Sequence, residues 1–182
     1  MGFGPEYARR LKKREGRLGD IRYLDEMFIT IRGELHYLWR AADQGGDTID
    51  ILVQKRRNKS AAKRFFRKLL KGQCQPPWRM ITDKLKSYSA AHREVMPSVK
   101  HSTRHYENNR AEVSHEPTRQ RERQMRRFKS VGQAQRFLTV YGVAGNLFRL
   151  GRHLTRAIHY REFRSNALCE WHEVTCAQAI AD

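Results

Sequence analysis

Ile21-Arg22-Tyr23-Leu24-Asp25-Glu26-Met27-Phe28-Ile29-Thr30-Ile31 is the stretch whose reading decides the fold. Aromatic and β-branched side chains dominate it, which is the composition of a long strand. Arg32-Gly33-Glu34 supplies turn chemistry, and Leu35-His36-Tyr37-Leu38-Trp39-Arg40-Ala41-Ala42 follows as a second apolar run, so the two strands form a hairpin. Asp43-Gln44-Gly45-Gly46-Asp47 is a second turn, and Thr48-Ile49-Asp50-Ile51-Leu52-Val53 a third strand. Three strands joined by tight turns make an antiparallel meander.

Beyond Asn58 the period changes. Ala61, Ala62, Phe65, Phe66, Leu69 and Leu70 recur at helical spacing with basic residues opposite, Asn58 or Ser60 capping the start and Gly72 the end. After Pro76-Pro77, the run Trp78-Arg79-Met80-Ile81-Thr82 is a short strand ending at Asp83. A helical connection makes it a parallel neighbour of an earlier strand. Lys84 to Val95 reads as a helix, Val99 to Tyr106 as a fifth strand and Asn109 to Phe128 as a helix with Pro117 in its first turn or at a kink. Val131 to Phe148 is the last helix, with Phe137, Val140, Tyr141 and Ala144 on one side; beyond His153 the patterning is mixed. This order is that of a ribonuclease H-like α/β domain. It predicts a mixed five-stranded sheet, three strands antiparallel plus two parallel, flanked by helices. The division expected is a basic linker or arm over 1–20, a catalytic domain over 21–160 and a C-terminal tail over 161–182.

The chain has 182 residues, 37 of them Lys or Arg against 19 Asp or Glu, a net charge of +18 that points to a polyanionic partner. Hydrophobic residues make up 39%, enough for one core. The charge is clustered: Arg9 to Arg17, Lys55 to Lys71 without an acid, and Arg119 to Lys129 interrupted only by Glu122. Such clustering suits a phosphate backbone, whose counterions are released on binding. No run approaches the length of a membrane span, and Met1 to Asp20 lacks the apolar stretch of a signal peptide. Cys74, Cys169 and Cys176 are too few and too scattered for a disulfide framework, so a reducing cytoplasm is expected.

Three carboxylates fall where a ribonuclease H-like fold would bring them together. Asp25 lies in the middle of the first strand, Asp83 ends the fourth and Glu112 opens the long helix. Acids gathered in a basic protein repel one another unless cations are bound, which points to a divalent metal. Glu26 projects to the opposite sheet face from Asp25 by the period-two rule and is left outside the site. His115 lies three residues after Glu112, where proton transfer and a plain solvated role are both open. Cys169, His172 and Cys176 have a spacing reminiscent of zinc sites, but a closed site wants four ligands and no fourth is adjacent. Gly45-Gly46 lacks a following Lys-Ser or Lys-Thr and is a turn, not a nucleotide loop. Trp39 and Trp78 read as core or strand-flanking residues.

Tyr23-Leu24-Asp25-Glu26, Leu35 through Ala41, Arg56-Arg57-Asn58, Ile81-Thr82-Asp83-Lys84, Asn108-Asn109-Arg110-Ala111-Glu112, Arg119 through Arg123 and Arg127-Phe128-Lys129-Ser130 carry a resemblance. In order and spacing they resemble the DDE-type transposases of bacterial insertion sequences, specifically the insertion sequence six family, over about Phe3 to Tyr160. The resemblance implies a core that cuts and joins DNA at transposon ends. Asp25, Asp83 and Glu112 would be its catalytic triad, holding two Mg2+ ions replaceable by Mn2+. Arg119, seven places after Glu112, would hold a phosphate, and Arg56, Arg57, Lys84, Arg123, Arg126, Arg127 and Lys129 would line the DNA. Terminal inverted repeats and target DNA would be the partners, with the chain a homo-oligomer on DNA in the bacterial cytoplasm near the nucleoid. Between Asp83 and Glu112 lie 28 residues, fewer than usual for such enzymes, with Glu116 and Glu122 the competing positions. Family members carry a helix-turn-helix region ahead of the core, whereas Met1 to Asp20 offers few apolar anchors, chiefly Phe3, Tyr7 and Leu11. The expectation is a truncated transposase without end recognition; the alternative is a catalytically inactive remnant acting only as a non-specific DNA-binding protein.

Overall fold

Arg32 and Gly33 turn the first hairpin with φ of 53° and 81°. Positive φ at both central residues is the geometry that matches the twist of paired strands, and glycine reaches it without the Cβ clash. The hairpin joins β1 (Ile21–Ile31) to β2 (Glu34–Asp43), paired antiparallel from Arg22 opposite Asp43 to Ile31 opposite Glu34. The computed structural model describes residues 4–14, 19–71, 76–104, 107, 128–149 and 155–176.

β3 (Thr48–Gln54) pairs antiparallel with β2, with a register shift between Ala41 and Ala42. α2 (Lys59–Lys71) starts where expected, since the Asn58 side chain accepts from Ala61 N at 3.0 Å. β4 (Arg79–Thr82) lies parallel to β1, Leu24 opposite Thr82. α3 (Lys86–Val95) leads to β5 (Lys100–Ser102), parallel to β4. The five-stranded sheet has the order β3-β2-β1-β4-β5, the mixed arrangement expected from the sequence. β5 is shorter than the run read from Val99 to Tyr106, and the helix expected over 109–128 lies outside the described residues apart from Phe128, which bridges Ile31.

One face of the sheet, with Leu24, Trp39 and Met80, packs on Phe65 and Phe66 of α2 and on Tyr88 and Ala91 of α3. The other, with Met27, Ile29, Leu38, Ile51 and Val53, packs on Ala134 and Leu138 of α4 (Val131–Phe148). Ala134, Leu138 and Val143 are the buried positions of α4, whereas Phe137, Val140, Tyr141 and Ala144, the side expected to carry the apolar contacts, are half-buried. The reason is a second layer over α4: Leu11 of α1 (Gly4–Arg14) and Val174 of α5 (Ala157–Cys176) close on Val143 from outside the sheet. Residues 4–14 are therefore a packed helix with Ala8 and Leu11 buried, not a basic arm, and the boundary drawn at residue 160 falls inside a helix.

β3 is the outer strand, yet every one of its residues is buried. Side chains serve as its missing neighbour. Asn146 accepts from Thr48 N at 2.7 Å and donates to Thr48 O at 2.9 Å, Lys12 reaches Ile49 O, and Gln135 accepts from Val53 N at 2.8 Å while donating to Ile51 O at 3.2 Å. Gly142 lets α4 come this close, because a Cβ there would lie 2.9 Å from Thr48 Cγ2.

Candidate active site

β4 stops opposite Leu24, while β1 runs on to Ile31 and meets Phe128 only there. Between these two contacts the β4-side edge of β1 has no strand beside it among the described residues. Asp25 and Glu26 are the first residues past the end of β4, and Asp83 is the residue that ends it. One carboxylate oxygen from each of Asp25, Glu26 and Asp83 lies within 4.8 Å of the others. Glu26 thus belongs to the cluster from which the period-two rule excluded it. Alternation sets where a Cβ starts, but at the end of a neighbouring strand a side chain as long as glutamate can turn into the gap from either face.

Backbone groups hold the short acids in place. Leu85 N donates to Asp83 Oδ1 at 2.9 Å, and Glu26 N donates to Asp25 Oδ1 at 2.9 Å. Thr82, wholly buried, donates its hydroxyl proton to Asp83 O at 2.9 Å. With that proton committed, Thr82 Oγ1 can only accept from His101 Nε2 at 2.9 Å, which fixes the His101 tautomer as Nε2–H. His101 stacks on His92 with ring centroids 4.6 Å apart. Burial, with the neighbouring His92 second, pulls His101 down to about 4, and burial lowers His92 as well. Both rings are neutral supports for the strand end that presents Asp83.

Glu26 differs from its neighbours in having a side chain only 3% exposed. Burial pushes its carboxyl above the usual range and the charges of Asp83 and Asp25 add to this, against the Tyr88 hydroxyl and the Arg57 guanidinium. Tyr88 is itself raised well above its ordinary value by burial and by Glu26. Its hydroxyl adjoins Glu26, yet neither that oxygen nor Glu26 Oε2 makes a well-formed hydrogen bond. Arg57 Nη2 pairs with Glu26 Oε1 and stands 3.6 Å from Asp83 Oδ2. Arg57, expected on DNA, is therefore turned onto the carboxylates as their counter-ion, a role visible only once β1, β4 and the start of α2 meet. Three convergent carboxylates form a hard-oxygen donor set suited to Mg2+ or Mn2+, and Arg57 meanwhile offsets part of the negative charge that a cation would neutralise.

Arg56, Lys84 and Lys129 are exposed, the first two flanking this cluster in sequence and Lys129 following the Phe128 bridge. Glu112, Arg119, Arg123, Arg126 and Arg127 lie outside the described residues, as do Glu116, Glu122 and His115. On α5, His172 Nδ1 lies 3.0 Å from Cys176 Sγ, and Cys169 and Cys176 are exposed thiols. Among the described residues, only Asp25, Glu26 and Asp83 form a group of three metal-capable side chains. No described helix is long and apolar enough to cross a membrane.

Residues 21–150 match a family model described as a DDE domain, of the IS240 transposase type. The chain belongs to the DDE transposases of the insertion sequence six family. This DDE domain chain is 34% identical over 120 residues to the transposase for insertion sequence-like element IS431mec of Staphylococcus aureus, covering 63% of this chain and 52% of the relative. Identity and coverage are the same for the S. aureus transposase of element IS257 in transposon Tn4003. The chain spans about half the length of these curated relatives. Among solved structures it resembles the HTLV-2 integrase catalytic core domain in complex with magnesium, trimeric form, with a TM-score of 0.50 at 13% identity, covering 75% of this chain and 90% of that one. That likeness identifies the fold of this DDE chain as ribonuclease H-like.

Proposed function

We propose that the chain is the core of a DNA transposase that cleaves strands at insertion-sequence ends and joins them to target DNA, with residues 21–160 carrying the chemistry. The observation that supports this most directly is the convergence of Asp25 and Asp83 at the open end of β4, within the stretch matched by the DDE domain. Asp25, Asp83 and Glu112 are the proposed ligands of two Mg2+ ions, replaceable by Mn2+. Bound there, such ions supply an activated water and charge neutralisation at the scissile phosphate and leaving oxygen. The protein's own part is positioning. Leu85 N and the Thr82-His101 pair hold Asp83, Asp25 is braced by the backbone that follows it, and Arg57 keeps Glu26 and Asp83 from repelling one another. Glu26 joins the set as a ligand or as the group that tunes Arg57. Arg56, Lys84 and Lys129, with Arg119, Arg123, Arg126 and Arg127, are the proposed phosphate contacts. A homo-oligomer assembled on DNA in the bacterial cytoplasm is the proposed working state.

Asp83→Asn removes one negative charge but retains the acceptor for Leu85 N. It is expected to abolish Mg2+- or Mn2+-dependent nicking of duplex DNA while thermal unfolding stays near that of the parent. Undiminished nicking by that variant sinks the assignment.

A further inference from the structure

Nine cations lie between Lys55 and Lys71, and the fold sorts them into two kinds. Lys55 pairs with Glu34, Arg57 with Glu26, Lys59 and Lys63 with Glu94 of α3, and Lys68 with Asp50 of β3. Each of these acids comes from another element, since α2 contains none. Arg56, Arg64, Arg67 and Lys71 are exposed and have no acidic partner among the described residues. Arg64, Arg67 and Lys71 share a strip about 60° wide at the helical period of 100° per residue, rising about 10 Å along the axis. Ser60 lies on the same strip, and together they line an open groove of about 980 Å3. A second groove, of about 600 Å3, shares Arg64 and Lys68 and adds Arg136 of α4.

The fold thus neutralises both flanks of α2 and leaves the middle row bare. A face built only to stay soluble would alternate signs along the helix, because like charges three and four residues apart destabilise it. Three unneutralised cations in two turns are instead what a polyanion relieves. Their rise of about 10 Å corresponds to roughly three nucleotide steps of one strand at about 3.4 Å each. The helix also starts next to the acids: α2 begins just after Arg57, which pairs with Glu26 and stands 3.6 Å from Asp83, and is about 20 Å long.

We propose that the Arg64-Arg67-Lys71 ridge of α2 is a docking track for the phosphate backbone of duplex DNA, extending the bound surface beyond the catalytic carboxylates without reading sequence. The choice of DNA as the polyanion rests on the transposase reading above; the track itself rests on the charge geometry. It binds in addition to Arg56, Lys84 and Lys129 at the rim of the carboxylate cluster.

The test is a salt titration of the full chain on a fluorescent duplex. The triple variant Arg64→Gln, Arg67→Gln, Lys71→Gln should lower the slope of log K against log salt by about 2.7, at about 0.9 for each phosphate no longer neutralised. At low salt its affinity should fall by at least tenfold. The control Arg156→Gln, Arg161→Gln, Arg164→Gln removes the same charge from α5 and the residue that precedes it, and should change the slope by less than about 1, the value of a single phosphate. Equal effects in both triples, or none in either, overturn the track by showing that net charge or other residues hold the duplex. A duplex RNA bound as tightly, with the same weakening in the α2 triple, overturns the assignment to DNA. Nicking by the parent protein is scored separately. A parent that nicks while the α2 triple keeps its slope refutes the track alone, and a parent that never nicks while the triple loses its slope refutes the catalytic reading alone.

Discussion

Thr82 and His101 show how much of the position of Asp83, a proposed metal ligand, is set by the residues packed behind it. The hydroxyl of Thr82 has one proton, and spending it on the Asp83 carbonyl obliges His101 to donate. That demand is met by a neutral imidazole, and burial beside His92 keeps both rings neutral. The consequence for stability has a definite sign. A histidine whose folded value is about 4 against an ordinary 6.5 contributes stability that is complete above pH 6.5 and is lost as pH falls towards 4. His101 alone is worth up to about 3 kcal/mol across that window, and His92 acts in the same direction. Urea unfolding of the parent and of a His92→Gln, His101→Gln variant should converge as pH drops from 7 to 4, the parent losing its advantage. A difference between them that does not vary with pH would show that the rings are not held neutral. Glu26 titrates in both proteins and cancels from the comparison. At this scale Asp83 was legible in the sequence as the residue ending a short strand. Glu26 was not, because alternation describes a strand inside a sheet and Glu26 sits where its neighbour has ended.

At the scale of elements, β3 is the instructive case. An outer strand with unsatisfied backbone groups invites pairing with another chain. Here Asn146 and Gln135 of α4, with Lys12 of α1 and Lys68 of α2, supply the donors and acceptors of a missing strand. Asn146→Ala removes the side-chain partner of both the N–H and the C=O of Thr48 and leaves these two buried groups unpaired, a cost of about 2–6 kcal/mol. Chemical denaturation should register that cost, and amide exchange at Thr48 should accelerate. Unchanged exchange there would mean that solvent already reaches the strand. The same dependence explains why the periodicity of α4 does not predict its buried face. Its two apolar sides are each half-covered, one towards β3 and the other towards α1 and α5, and a single helix sequence does not say which partner approaches closer. α1 escapes a sequence reading for a related reason: its charges outnumber its anchors, yet Ala8 and Leu11 fall on the face that α4 covers.

Across the whole molecule, a net charge of +18 on 182 residues opposes compaction, while close ion pairs such as those of Glu94 and Asp50 favour it. Raising ionic strength from about 0.01 to 0.15 M shortens the screening length from about 30 to 8 Å, which weakens the long-range repulsion more than the close pairs. The melting temperature should therefore rise with salt, by about 2–4 °C for each kcal/mol of repulsion relieved. A fall would show that the close pairs dominate. The sequence by itself determined the order of elements from β1 to β5, the hairpin at Arg32-Gly33, a helix start near Asn58, the parallel placement of β4 and the basic surface. All of these follow from interactions between residues near one another in the chain: alternation, turn chemistry and helical period. The tertiary structure alone decided that Glu26 joins Asp25 and Asp83, that Arg57 faces the acids, that α1 closes over α4, and which cations of α2 remain unneutralised. Each of those depends on which distant segments lie side by side and where one of them stops, and no local pattern encodes the end of a neighbour.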